Sequence, residues 1–127
     1  MPGKIADSSV IAAILFGERL GQEAGALLGD DELLEPALLM YELASVARKK
    51  IQIEPQREGE IIRGLRLITS VNIRWFDLTD APGLVTLASM SKLSVYDASY
   101  LQLAQSTGGF LYTFDRKLAD AYRALGK

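Results

Sequence analysis

Four acidic side chains occupy positions from which they could act on a ligand: Asp7, Glu42, Asp97 and Asp115. The chain holds no His and no Cys. That removes the commonest general base, the Ser-His and Cys-His nucleophile pairs, and imidazole or thiolate metal ligands. Chemistry near neutral pH is then left to carboxylates, Lys, Tyr, hydroxyls and a hard metal ion. Oxygen-only ligands favour Mg²⁺ or Mn²⁺ over Zn²⁺.

Glu42 stands out within the apolar stretch Ala37–Val46. A helical surface glutamate usually finds a cation three or four residues away. Here those neighbours are Leu38, Leu39, Ser45 and Val46. Two readings stay open: a solvated glutamate on a narrow polar face, or a half-buried carboxylate facing a metal. Asp97 sits near the start of another apolar stretch, Ser94–Ala104, where a helix macrodipole alone would favour it. Asp7 and Asp115 have the side chain that caps a helix. Taken singly, each acid has an ordinary structural explanation.

Taken together they demand more. At an effective dielectric of about 20, two carboxylates about 5 Å apart repel by roughly 3 kcal/mol. Converging acids therefore need protonation, paired cations or a divalent metal. With no His, and no Lys or Arg at helical pairing distance from Glu42, a metal is the economical expectation.

The elements that must position these residues follow from periodicity and breakers. Lys4–Ala6 reads as a short buried strand ending at Asp7, and Val10–Leu15 as a helix broken at Gly17. Helical spacing resumes over Glu18–Leu28, and Leu33–Glu35 suits a second strand. Pro36 fits the first turn of a helix reaching Lys50. A further helix is expected over Pro55–Ile68, then a β-branched and aromatic strand over Ile73–Asp77. Asp80 caps a helix to Lys92, and Ser94 begins one to Gln105 that Gly108-Gly109 closes. Phe110–Phe114 reads as a strand and Asp115–Leu125 as the last helix. Strands alternating with helices predict a three-layer α/β fold around a mainly parallel sheet. Such sheets carry their sites at the carboxyl ends of strands, where Asp7 and Asp115 fall.

At 127 residues, with no repeat, low-complexity tract or linker, the sequence predicts one domain over 1–127. No apolar run approaches the roughly 20 residues that span a bilayer. The opening Met1-Pro2-Gly3-Lys4-Ile5 lacks the apolar core of a signal peptide. A cytoplasmic protein is the simplest expectation. Net charge is −2, whereas a passive nucleic-acid binder is usually basic. A metal-loaded acidic site could still accept phosphate.

Four segments carry a family resemblance: Ile5–Val10, Glu42-Leu43, Tyr96–Ala104 and Thr113–Leu118. In order and spacing they resemble the PIN domain, and more closely the stand-alone VapC toxins of prokaryotic toxin–antitoxin pairs, over essentially the whole chain. The resemblance implies a PIN-like α/β/α sandwich and divalent-metal-dependent endonucleolytic cleavage of RNA. It implies Asp7, Glu42, Asp97 and Asp115 as the acidic quartet around Mg²⁺ or Mn²⁺, with Ser9 and Thr113 supporting it. It also implies a homodimer and a VapB-like antitoxin whose segment covers the site. Lys117 stands where some relatives carry a further acid, which puts a strongly held second metal in doubt. Arg116, Lys117 and the run Arg48-Lys49-Lys50 are candidate RNA contacts or simply solvated charges. The apolar surfaces over Leu38–Val46 and Ile61–Ile68 read as core before interface.

Two other classes compete. A phosphoacceptor signalling domain would want an acidic pair after the first strand, but Ser8 follows Asp7. Asp77 could serve as its acceptor, yet Glu42 and Asp97 would then have no task. The other class is an interaction module that kept a PIN scaffold without catalysis.

Overall fold

Short apolar strands lay down the sheet: β1 (Lys4–Ala6), β2 (Leu33–Pro36), β3 (Ile73–Phe76) and β4 (Phe110–Tyr112). All pairings are parallel, in the order β3-β2-β1-β4. The two central strands are apolar and buried at Ile5, Ala6, Leu33 and Leu34. That is the pattern of strands covered on both faces. The computed structural model describes residues 3–126; Met1 and Pro2, part of the opening segment considered above, lie outside the described residues.

The helices are α1 (Ser8–Leu15), α2 (Gly21–Leu28), α3 (Leu38–Ile53), α4 (Glu58–Arg66), α5 (Ala81–Ser91), α6 (Val95–Thr107) and α7 (Arg116–Ala124). From β1 the sheet grows outward through β2 to β3, then β4 returns to the other side of β1. Right-handed crossovers put α1 to α4 on one face and α5 and α6 on the other. The packing agrees: α1 meets α2 and α3, and α3 meets α4. On the opposite side α6 meets α5, α7 and the strands β1, β2 and β4. The result is a three-layer α/β/α sandwich. Its reversal of strand order lies between β1 and β4, the place where open parallel sheets present a crevice for ligands.

Local chemistry sets most boundaries. Asp7, Asp80, Ser94 and Asp115 each cap a helix through the side-chain oxygen. Gly108, at φ +73°, ends α6 in the left-handed region that costs glycine little. Leu39, Leu43, Ile61 and Ile68 are buried, so those helix faces belong to the core. No helix among the described residues is long and apolar enough to cross a membrane.

The structure corrects several expected boundaries. Pro36 ends β2, paired with Phe76, rather than opening a helix. Its missing N–H is tolerated at a strand end, and α3 starts two residues later. Residues 18–20 form a turn, with Glu18 N–H on the Ala13 carbonyl and Gly21 N–H on Glu18, so α2 begins only at Gly21. The Pro55–Ile68 helix is divided: a 3₁₀ turn at Pro55–Arg57 precedes α4, and another follows it at Leu67–Ser70. Strand β3 stops before Asp77, and β4 stops at Tyr112, two residues short of Phe114.

Gly21 lets α2 fold back on α1, because a Cβ there would lie 2.1 Å from the Ala13 carbonyl oxygen. Backbone cannot yield as a side chain would. Gly21→Ala is expected to lower stability by about 1–3 kcal/mol, read as a lower urea midpoint; an unchanged midpoint would show that the α1–α2 contact is loose.

Candidate active site

Asp7 leaves the carboxyl end of β1 and immediately caps α1. Its N–H continues the ladder to the Tyr112 carbonyl (3.1 Å), so β4 is locked beside it. The carboxylate is 4% exposed. Its Oδ1 accepts from the Ser9 hydroxyl (2.6 Å) and from Val10 N–H (3.3 Å). The Thr113 hydroxyl donates to Oδ2. Burial raises the Asp7 pKa, and the Ser9 and Thr113 hydrogen bonds counter that rise. Ser9 Oγ also accepts from Phe114 N–H (3.1 Å), and Thr113 Oγ1 from Asp115 N–H (2.9 Å). These bonds explain why β4 ends at Tyr112: the next residues are spent on side-chain contacts around Asp7.

Glu42 lies half-buried on α3. The Tyr100 hydroxyl, from the opposite layer, donates to its Oε1 at 2.6 Å. Burial raises the Glu42 pKa; the Tyr100 bond and the Ser8 side chain favour its charged form, while Asp97 and Asp7 push it up again. Asp97 is partly buried in the first turn of α6, where its N–H donates to Ser94 Oγ (3.0 Å). Its pKa is raised by burial, then by Asp115 and Asp7; Ser94 and Lys117 act against the rise. Asp115 is exposed and caps α7 by accepting from Leu118 N–H (3.1 Å).

The four acids therefore share one electrostatic neighbourhood, with Asp7 and Asp97 at its centre. Among the described residues no ion pair involves any of them. Nor do three acidic side chains there close into a ready-made metal cage. The donor set is nonetheless that of a hard divalent cation. Mg²⁺ in particular is commonly held by one or two carboxylates, water and substrate phosphate rather than by an all-protein cage.

Of the basic residues considered in the sequence, only Lys117 acts on one of these acids. Lys117 is exposed near Asp97, and its neighbour Arg116 is exposed as well. Arg48 and Lys49 are exposed, whereas Lys50 pairs with Glu18 (3.4 Å) and stands 5.6 Å over the Phe16 ring. Asp77 is exposed at the end of an edge strand, with β2 between β3 and β1. A receiver-type sheet needs β1 beside β3, so the phosphoacceptor alternative fails on topology.

Two residues escaped the sequence analysis. Glu35, at the end of the expected strand Leu33–Glu35, has 0% exposure. Its Oε2 accepts Ala6 N–H (3.0 Å), while Oε1 has no partner. Burial holds its pKa far above the carboxylate range, and Asp7 pushes it further. Its signal was an acid inside the apolar run Leu33–Leu38 of a strand buried on both faces. Tyr100 lies within the segment Tyr96–Ala104 that carries the resemblance, with no local sign of its bond to Glu42. It is wholly buried, and burial together with Glu42 keeps its hydroxyl protonated.

Comparison with known proteins identifies the family and the fold. The PIN domain model matches residues 4–124. Ribonuclease VapC3 of Pyrobaculum aerophilum is 30% identical over 132 aligned positions, covering 95% of each chain. The crystal structure of PAE2754 from Pyrobaculum aerophilum superposes with a TM-score of 0.78 at 21% identity, covering 98% of this chain and 86% of that one. The last likeness bears on the fold alone.

Glu35 makes stability depend on pH. A carboxyl whose folded pKa exceeds its unfolded value binds its proton more tightly when folded. Stability is then greatest below the unfolded pKa and falls as pH climbs toward the folded one, by up to about 1.4 kcal/mol per pH unit. Glu35→Gln cannot ionise. Urea unfolding across mildly acidic to mildly alkaline pH should show the variant losing less stability than the parent, with a gap that widens as pH rises. Parallel curves would mean that Glu35 is not held neutral by the fold.

Proposed function

Because the chain belongs to the PIN domain family, we propose that it is a divalent-metal-dependent endoribonuclease, the toxin of a VapBC-type toxin–antitoxin pair. The observation that carries this reading is the set Asp7, Glu42, Asp97 and Asp115 at the reversal of strand order, without an ion pair among the described residues and with raised pKa values at Asp7, Glu42 and Asp97. The similarity to a ribonuclease over nearly the whole chain supports it.

Asp7 and Asp97 are the proposed metal ligands, with Glu42 and Asp115 completing the acidic quartet. A bound Mg²⁺ or Mn²⁺ would lower the pKa of water and offset the charge of the phosphodiester. The protein's own groups do the rest. Ser9 and Thr113 hold both Asp7 oxygens, so that carboxylate is presented in one orientation. Tyr100 holds Glu42 by Oε1, which positions the carboxylate to orient an attacking water and accept its proton. Raised basicity suits that task. Exposed Lys117 and Arg116 stand ready for the flanking phosphates.

The partners proposed are RNA, a VapB-like antitoxin whose segment covers the acidic cleft, and a second copy of the chain. A groove of about 930 Å³ lined by Trp75, Leu78, Val95 and Tyr96 offers exposed apolar surface for such assembly.

Cleavage of single-stranded RNA should require Mn²⁺ or Mg²⁺, stop with EDTA, and disappear in Asp97→Asn. Glu42→Gln should lower kcat by about 10²- to 10⁴-fold if Glu42 moves the proton. Metal-independent cleavage, or full activity in Asp97→Asn, would remove the acidic site from the reaction.

A further inference from the structure

Beside the quartet lies a separate hollow of about 490 Å³, bounded by the start of α1, the turn before α2, the middle of α3 and the loop after β4. Ser8 and Ser9 line it, and the Ser9 hydroxyl donates to Asp7 Oδ1 (2.6 Å). The hollow therefore adjoins Asp7 through Ser9. Its remaining lining is mostly apolar, including Val46, Leu20 and the ring of Phe114. Phe114 is 45% exposed, which is costly for an aromatic side chain with no partner. Its backbone is held in place, since its N–H donates to Ser9 Oγ (3.1 Å). A half-exposed aromatic residue thus lines the hollow one position before Asp115.

Arg19 lines the same hollow, is exposed, and makes no ion pair among the described residues. Its neighbour Glu18 is engaged by Lys50. The hollow thus combines a flat aromatic face, apolar walls, two hydroxyls and one uncommitted guanidinium. Single-stranded nucleic acid is bound by that combination: bases stack on aromatic rings and phosphates meet Arg. We propose that this hollow is a base-binding subsite. In it the nucleobase adjoining the scissile phosphate stacks on Phe114 while Arg19 meets the next phosphate along the strand.

The proposal rests on the ribonuclease reading for its substrate, and it explains how a chain of net charge −2 can grip RNA. Affinity comes from stacking, local to the hollow, instead of from a broad basic surface. Stacking tolerates any base, so Phe114 sets the position of the strand more than its sequence.

The test uses the full chain, a short fluorescent single-stranded RNA of mixed sequence, and three substitutions: Phe114→Ala, Phe114→Leu and Phe114→Trp. Binding is followed by anisotropy in Ca²⁺ and cleavage by gel in Mn²⁺, with Asp97→Asn alongside. Loss of one stacked base should weaken binding by about 5- to 150-fold. Phe114→Ala and Phe114→Leu are expected to show that loss in Kd and KM with kcat little changed, while Phe114→Trp binds as tightly as the parent or tighter. Parental affinity in both Ala and Leu variants would overturn the subsite and leave the hollow to a protein segment, even where Asp97→Asn abolishes cleavage. Weakened binding in those two variants alongside cleavage that ignores Asp97 would uphold the subsite and overturn the catalytic reading. A parent that binds no RNA overturns both.

Discussion

Negative charge gathered without an ion pair among the described residues is the constraint on which this molecule turns. Asp7, Glu42 and Asp97 are partly or wholly withdrawn from water, and burial alone pushes each toward its neutral form. An ion pair would be the ordinary remedy, and none is present among the described residues at these acids. The fold answers with hydroxyls instead: Ser9 and Thr113 on Asp7, Tyr100 on Glu42. Hydroxyls orient an anion without cancelling its charge. In the proposed metal site that leaves the charge of the cluster for a divalent ion, with which a buried Arg or Lys would compete.

The scaffold makes this arrangement affordable. Strand order reverses between β1 and β4, so two loops diverge there and leave space at the carboxyl edge. Asp7 and Asp115 enter that space as helix caps, each with a role in its own helix. Glu42 and Asp97 enter from α3 and α6, on opposite layers, and Tyr100 links those layers through its bond to Glu42. Beneath them Glu35 accepts Ala6 N–H in place of a backbone carbonyl. With its pKa raised, it adds a carboxyl group under the site without adding another fixed charge.

Sequence alone disclosed those parts of the site whose chemistry is local. Asp7, Asp80, Ser94 and Asp115 each cap a helix three residues from the N–H they accept, a spacing visible in the chain. Gly108 and the buried strands were visible for the same reason. The hidden parts depend on distant pairing. Tyr100 and Glu42 are separated by 58 positions, and nothing near either residue betrays the bond. Glu35 was hidden because its partner is a backbone amide on a neighbouring strand. Pro36 misled in a different way: its fixed φ suits a helix start and a strand end alike, and the pairing of β2 with β3 decided between them. The convergence of the four acids was inferred from resemblance. The structure brings them within mutual electrostatic reach, without three of them closing on a single point.

The most direct test of the central claim is calorimetric titration of Mn²⁺ into the full chain at mildly acidic pH, repeated in buffers of different ionisation enthalpy. Acids held above their usual pKa must give up protons when a cation binds. Saturable binding is therefore expected with measurable proton release, and both should be lost in Asp7→Asn. Absence of binding at millimolar Mn²⁺, or binding that Asp7→Asn leaves unchanged, would contradict the account.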